Sequence, residues 1–262
     1  MNPEILGIIF RKITKEVDEM VRTVPFVCKT WNEVVSGPYC WSEEIDVSCW
    51  CRRQNDSDKV DTVVKKLLRR SKCTVNRFCS YRLGESGFFY VAHCGRYLKE
   101  LHMPMSDIND EMVLKHIKPL PNLITLDISF CFDITSKGIA AFGNNCKFLL
   151  HLKRNMPQPE SFPCTDDSEA ETIAKTMPNV QHIELCSGRF SEWGLTEILT
   201  KCKSITYLDI YGCWNIEKLN GEHEEICGRL DHFQSPWMDS DDACSESEGS
   251  GNELMKSETD SD

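Results

Sequence analysis

Apolar positions along this chain follow two successive patterns. Over residues 2–13, Ile5, Leu6, Ile8, Ile9 and Ile13 recur at helical spacing. Asn2 stands where an N-cap side chain accepts free amides, and Pro3 suits the first helical position, where its missing N–H costs nothing. Residues 16–36 carry Val21, Val24, Val27, Trp31 and Val34 three or four apart, which predicts one or two more helices, broken or kinked at Pro25. Gly37-Pro38 is a stop signal. Residues 44–47 read as a strand. Residues 58–71 return to helical spacing, with Val60, Val63, Val64, Leu67 and Leu68 on one face.

From residue 75 the pattern repeats. Apolar pairs three apart recur at Val75/Phe78, Leu98/Leu101, Leu123/Leu126, Leu149/Leu152, Val180/Ile183 and Ile205/Leu208, with starts 23, 25, 26, 31 and 25 residues apart. A period in the mid-twenties belongs to strand–helix solenoids of the leucine-rich kind. In the clearest unit, residues 121–146, strand-like alternation gives way to helical spacing from Gly138 to Phe142. One such unit cannot bury its apolar face alone, so stacking of units makes the core. Leu126, Ile128, Leu208 and Ile210 are expected inside, with Thr125, Asp127, Ser129, Tyr207, Asp209 and Tyr211 on the concave sheet. The interval of 31 marks an insert at 155–168, rich in Pro157, Pro159 and Pro163, and Arg154 falls there on a core position.

Composition narrows the reading. The net charge is −11, but residues 238–262 hold nine Asp/Glu and one Lys, a net of −8, so the body carries only −3. That balance lacks the basic footprint of a nucleic-acid binder. The acidic tail is expected to be disordered, because it has too little apolar surface to offset its ordering entropy. Its serines, set among acids, suit either phosphorylation or plain solubilisation. No stretch approaches the roughly 18 apolar residues of a membrane span. The first segment, with Glu4, Arg11 and Lys12, does not read as a signal peptide. Fifteen cysteines, an odd number, argue for reduced thiols at core positions in nucleus or cytoplasm rather than a disulfide framework. The cluster Lys65, Lys66, Arg69 and Arg70 reads as a solvated helix end or as a nuclear-import signal.

The N-terminus resembles the F-box family. Pro3-Glu4-Ile5-Leu6 followed by Ile9-Phe10 matches its opening pattern, and Val27-Cys28-Lys29-Thr30-Trp31 its valine-cysteine-lysine-x-tryptophan core. Trp41 stands at the closing tryptophan. Asn2 replaces the family's usual leucine before the proline. The remainder resembles the cysteine-containing leucine-rich repeats of short plant F-box proteins. The expected fold is therefore α/β: a helical F-box at 1–45, a linker helix at 46–72, a leucine-rich-repeat solenoid at 73–237 and a disordered acidic tail at 238–262. The resemblance implies docking on a Skp1-like adaptor, and through it a cullin and a RING subunit, while the repeats hold an unidentified target protein for ubiquitin transfer. It makes Pro3, Ile5, Leu6, Ile9, Val27, Cys28, Lys29 and Trp31 adaptor-facing candidates. The alternatives are that these residues pack on the first repeat, and that the repeats form a scaffold with no part in ubiquitin transfer.

On the concave face, Asp127, Glu184 and Asp209 are expected to form an acidic line flanked by His182, Tyr207 and Tyr211. That line suits a basic or polar target segment, or is simply a solvated strand surface. The insert at 155–168 is a second candidate surface. His93, Cys94, Cys79 and His102 do not make a convincing metal site without a Cys-x-x-Cys pair. No nucleophile elbow, phosphate-binding glycine loop or zinc-protease motif occurs. Neither a catalytic centre nor a cofactor is expected.

Overall fold

The computed structural model describes residues 2–14, 17–117, 120–158 and 164–237. The expectations for Pro159, Pro163 and the acidic tail lie outside the described residues. Three helices open the chain: α1 (Pro3–Ile13), α2 (Val17–Arg22) and α3 (Lys29–Ser36). The Asn2 side chain accepts the Glu4 amide at 2.8 Å, and Arg11 and Lys12 sit in the last turn of α1, where the helix dipole favours cations. Pro25 falls in a 3-10 turn, Val24–Phe26, that separates α2 from α3. Phe10 is fully buried and meets Trp31 of α3 with ring centroids 4.8 Å apart.

The rest is one array of strand–helix units. In chain order it runs β1 (Glu44–Asp46), α4 (Ser48–Cys51), α5 (Ser57–Arg70), β2 (Arg77–Cys79), α6 (Glu85–His93), β3 (Glu100–His102), α7 (Asp110–His116) and β4 (Thr125–Asp127). It continues with α8 (Ser136–Asn145), β5 (His151–Lys153), α9 (Ser168–Thr176), β6 (His182–Glu184), α10 (Glu192–Lys201), β7 (Tyr207–Asp209), α11 (Gly221–Cys227) and β8 (His232–Gln234). The eight strands form one parallel sheet in sequence order. In-register central residues Ile45, Phe78, Leu101, Leu126, Leu152, Ile183 and Leu208 are all fully buried and make a continuous spine. Ile128 and Ile210 join them, but Thr125 and Ser129, expected on the open face, are also buried.

The segment expected as a linker helix is built into this array. β1 straddles the expected boundary at residue 45 and pairs with β2, and α5 packs on α6. Ser42 hides this unit in the sequence, because it stands where the other units have an aliphatic residue.

Adjacent units are latched by carboxylates. Asp110, at the start of α7, accepts the Thr135 and Gly138 amides at 2.9 and 2.8 Å, and so caps the neighbouring helix α8. Asp167 does the same for Ser191 and Gly194 at the start of α10, at 2.7 and 3.2 Å. A Cβ at Gly138 or Gly194 would fall 2.6 Å from the latching oxygen, so the close approach excludes a side chain. Buried thiols add to the joints: Cys131 donates to the Met103 carbonyl and Cys213 to that of Leu185. Burial pushes the Cys131 thiol up to about 11 and that of Cys146 up to about 12. Cys73 and Cys94 correct the expectation of reduced cysteines throughout: they form a disulfide that ties the ends of α5 and α6 together.

Among the described residues Arg154 is the one Lys or Arg that is buried, only 2% exposed. Its guanidinium donates to the Cys131 and Ile134 carbonyls at 3.0 and 2.7 Å and pairs with Glu169 of α9 at 3.0 Å. It therefore closes the turn after β4 and fastens the helix that follows the insert.

Candidate functional surfaces

The N-terminal helices leave an apolar face uncovered. Helix α1 confines its charges to Glu4, Arg11 and Lys12, so its apolar side chains extend beyond the face that packs inward. Leu6 and Phe10 turn inward, whereas Ile5 (52% exposed), Ile8, Ile9 (39%) and Ile13 face outward along successive turns. Phe26 is 83% and Val27 58% exposed after the Pro25 turn. Scattered single apolar side chains need no explanation, but a run of four isoleucines on one helical stripe marks an interaction surface.

Among the residues expected to face an adaptor, Pro3, Ile5, Ile9, Val27, Cys28 and Lys29 are exposed. Trp31 is half-buried against Phe10. Leu6 is a correction: at 4% exposure it is core, because it shares the inward stripe with Phe10 four residues on. Ile8, Ile13 and Phe26 were not singled out. The first two lay in the helical pattern all along, and Phe26 was signalled only by its place after a proline.

The concave face is charged, but not as a line of acids. Register places Asp127, Lys153, Glu184 and Asp209 in one row, so Lys153 interrupts it. Its ammonium lies 2.7 Å from Glu184, and His102 Nδ1 lies 3.8 Å from Asp127. The neighbouring row carries a ladder of rings, His151, His182, Tyr207 and His232, with successive centroids 5.7, 3.8 and 4.3 Å apart. His182 Nε2 is 2.8 Å from Glu184. Tyr211 lies just beyond β7, where its amide donates to Asp209 at 3.0 Å. The repeating apolar pairs already carry this register, since Lys153 follows Leu152 as Asp127 follows Leu126.

These contacts set the ionisation of the face. Burial opposes the charge on Asp127, but hydrogen bonds from His102 and Ser129 hold it below the usual carboxylate range. Burial likewise opposes Glu184, which Lys153, His182 and Asn155 bring below its ordinary value. The His151 imidazole is pulled down by burial and then by His182. The fold thus disfavours a proton on His151, so stability is intact above the unfolded value, near 6.5, and falls as pH drops from there toward the folded value. The two carboxylates contribute stability above about 4 that is lost as pH falls through their folded values. Urea unfolding is therefore expected to show a first loss as pH falls below about 6.5 and a second below about 4. His151→Gln should shrink the first and leave the second. A single loss confined to pH below about 4 in the unaltered chain would show that His151 does not titrate this way.

A cavity of about 440 Å³ lies beside the insert, walled by Phe132, Met156, Phe190, Arg154 and Asp166. Among the described residues no group of three or more His, Cys, Asp or Glu side chains is placed to hold a metal ion. No described helix is long and apolar enough to cross a membrane.

A helical module with an open apolar face, continuous with a parallel strand–helix solenoid, defines a repeat protein. No family model matches the chain. It is, however, 33% identical to F-box protein FBW2 of Arabidopsis thaliana over 97% of its own length and 82% of that protein. It is 29% identical to F-box protein SKIP1 of the same plant, over 80% of this chain and 77% of that one. Putative F-box/LRR-repeat protein 23 is 26% identical over 86% of this chain, which spans half of that protein. The chain belongs to the family of F-box proteins with leucine-rich repeats.

Proposed function

We propose that this chain is the non-catalytic substrate receptor of a Skp1–cullin–F-box ubiquitin ligase. The observation that carries this reading is the stripe Ile5, Ile8, Ile9 and Ile13, which none of the described residues covers although the helix bearing it is packed on its other side. Burying such a stripe removes several large aliphatic side chains from water at roughly 25 cal/mol per Å², and an adaptor helix or groove is the natural cover. The solenoid then holds the target on a surface remote from α1, with His182, Tyr207, Glu184 and Asp209 among its contact residues. Twelve described cysteines are free thiols, which supports action in the reducing nucleus or cytoplasm.

Co-expression of the full chain with a Skp1-like adaptor is expected to give an equimolar complex on size-exclusion chromatography. A folded chain that elutes alone at micromolar concentrations of both partners would favour a repeat scaffold outside ubiquitin transfer.

A further inference from the structure

The solenoid has two edges of opposite charge. Each helix runs back against the parallel strands, so every helix C-terminus and the turn into the next strand lie on one edge. On that edge, the described residues of 66–76, 91–99, 114–124, 143–150, 175–181 and 201–206 hold eleven Lys or Arg and no Asp or Glu, while the last turn, after α11, holds Arg229 and Asp231. The opposite edge carries Asp107, Asp110, Asp133, Asp167, Glu171 and Glu192 around the helix N-termini. Helix dipoles favour cations in a last turn, but they do not require six of the seven connecting turns to lack acids.

Little neutralises this basic edge. Lys115 pairs with Glu85 and Lys201 with Glu197. Lys65 and Arg69 lie over the Tyr90 ring, 4.6 and 6.0 Å from its centroid, and Arg96 lies over Tyr97. Among the described residues, Lys66, Arg70, Lys72, Lys99 and Lys203 make no ion pair. The Cys73–Cys94 disulfide brings the turns bearing Lys72 and Arg96 together, with the two cysteine Cα atoms 4.6 Å apart. The nuclear-import alternative for Lys65, Lys66, Arg69 and Arg70 requires an extended segment, whereas all four are on a packed helix.

We propose that this edge is a docking surface for an acidic polypeptide, and that its occupant is the chain's own segment 238–262. That segment has a net charge of −8. The chain leaves the solenoid on the opposite, acidic edge, where the Gly212 amide donates to the Pro236 carbonyl at 2.9 Å. The acids on that edge oppose its staying, and the basic edge is a continuous surface of opposite sign. Reach is ample: 25 residues span at most ~85 Å. Crossing a helix of about ten residues takes ~15 Å, and passing seven strand spacings takes ~34 Å. The surface is distinct from both the isoleucine stripe and the concave face, so the proposal stands independently of the adaptor reading.

The test is zero-length carbodiimide cross-linking of the intact chain, read by peptide mass spectrometry on a mixture of ¹⁴N- and ¹⁵N-labelled protein. Amide links should join carboxylates of 238–262 to Lys66, Lys72, Lys99 or Lys203 within single chains, at least fivefold more often than to Lys59, Lys137 or Lys218 of the opposite edge. The yield should fall several-fold from 0.1 to 1 M salt, as the screening length shrinks from ~10 to ~3 Å. Links spread evenly over both edges, or insensitive to salt, overturn the proposal. Mixed-isotope links would instead assign the edge to a second copy, and no links at all would leave the segment without a seat on this surface.

Discussion

Replacing Ile9 and Val27 together by aspartate is expected to abolish the complex with a Skp1-like adaptor while leaving the fold intact. Both side chains are largely solvent-exposed, at 39% and 58%, so the free chain loses little packing. Interface anchors of this kind contribute about 2 kcal/mol or more each, and buried unpaired carboxylates add a desolvation cost. Affinity should therefore fall by at least ~100-fold, with thermal unfolding unchanged within a few degrees. Phe10→Ala is the necessary contrast. It empties a fully buried site beside Trp31 and should cost about 3–5 kcal/mol of stability. Calorimetry separates the two causes of a lost complex. An aspartate pair that still binds the adaptor at wild-type affinity would remove the isoleucine stripe and Val27 from the interface.

Arg154→Ala should be the most destabilising single change in the solenoid that removes no large apolar side chain. It strips two buried carbonyls, of Cys131 and Ile134, of their charged donor and leaves Glu169 unpaired. Glu169 is about a third exposed, so water recovers part of its loss, and the expected cost is about 2–4 kcal/mol. For a chain of this size that lowers the unfolding midpoint by roughly 5–15 °C. Arg154→Lys should recover little, because one ammonium cannot serve both carbonyls and the carboxylate in the guanidinium geometry. A midpoint shift below 2 °C for the alanine variant would mean that the turn after β4 holds without it.

Much of this architecture was legible in the sequence, for identifiable reasons. The strand centres were visible because one fully buried residue per unit must be apolar, as Leu101, Leu126 and Leu208 are. Asn2 marked the start of α1 because an N-cap is a local device. What failed was non-local. β1 was read as a strand, but its place in the repeat array was not, because that depends on pairing with a strand 33 residues on, while Ser42 spoiled the local spacing. Leu6 and Ile5 are adjacent apolar positions that the helical pattern does not tell apart, since the packing of α3 and of residues 38–40 decides which side is covered. The expected acidic line, by contrast, failed on a residue in plain view, since Lys153 follows Leu152 as Asp127 follows Leu126. Cys73 and Cys94 meet only because two helix ends are neighbours in space.

The carboxylate latches give the array a mechanical character. Asp110 and Asp167 each fix a helix of one unit to the next helix start, so each joint resists sliding at one point and has no tie to units further away. Pulled from its two ends, such a stack yields by peeling, one unit after another, each release lengthening the chain by some two dozen residues. A cargo held across several units would bind them in parallel and raise the force needed for the first release, so a loaded receptor would be stiffer than an empty one.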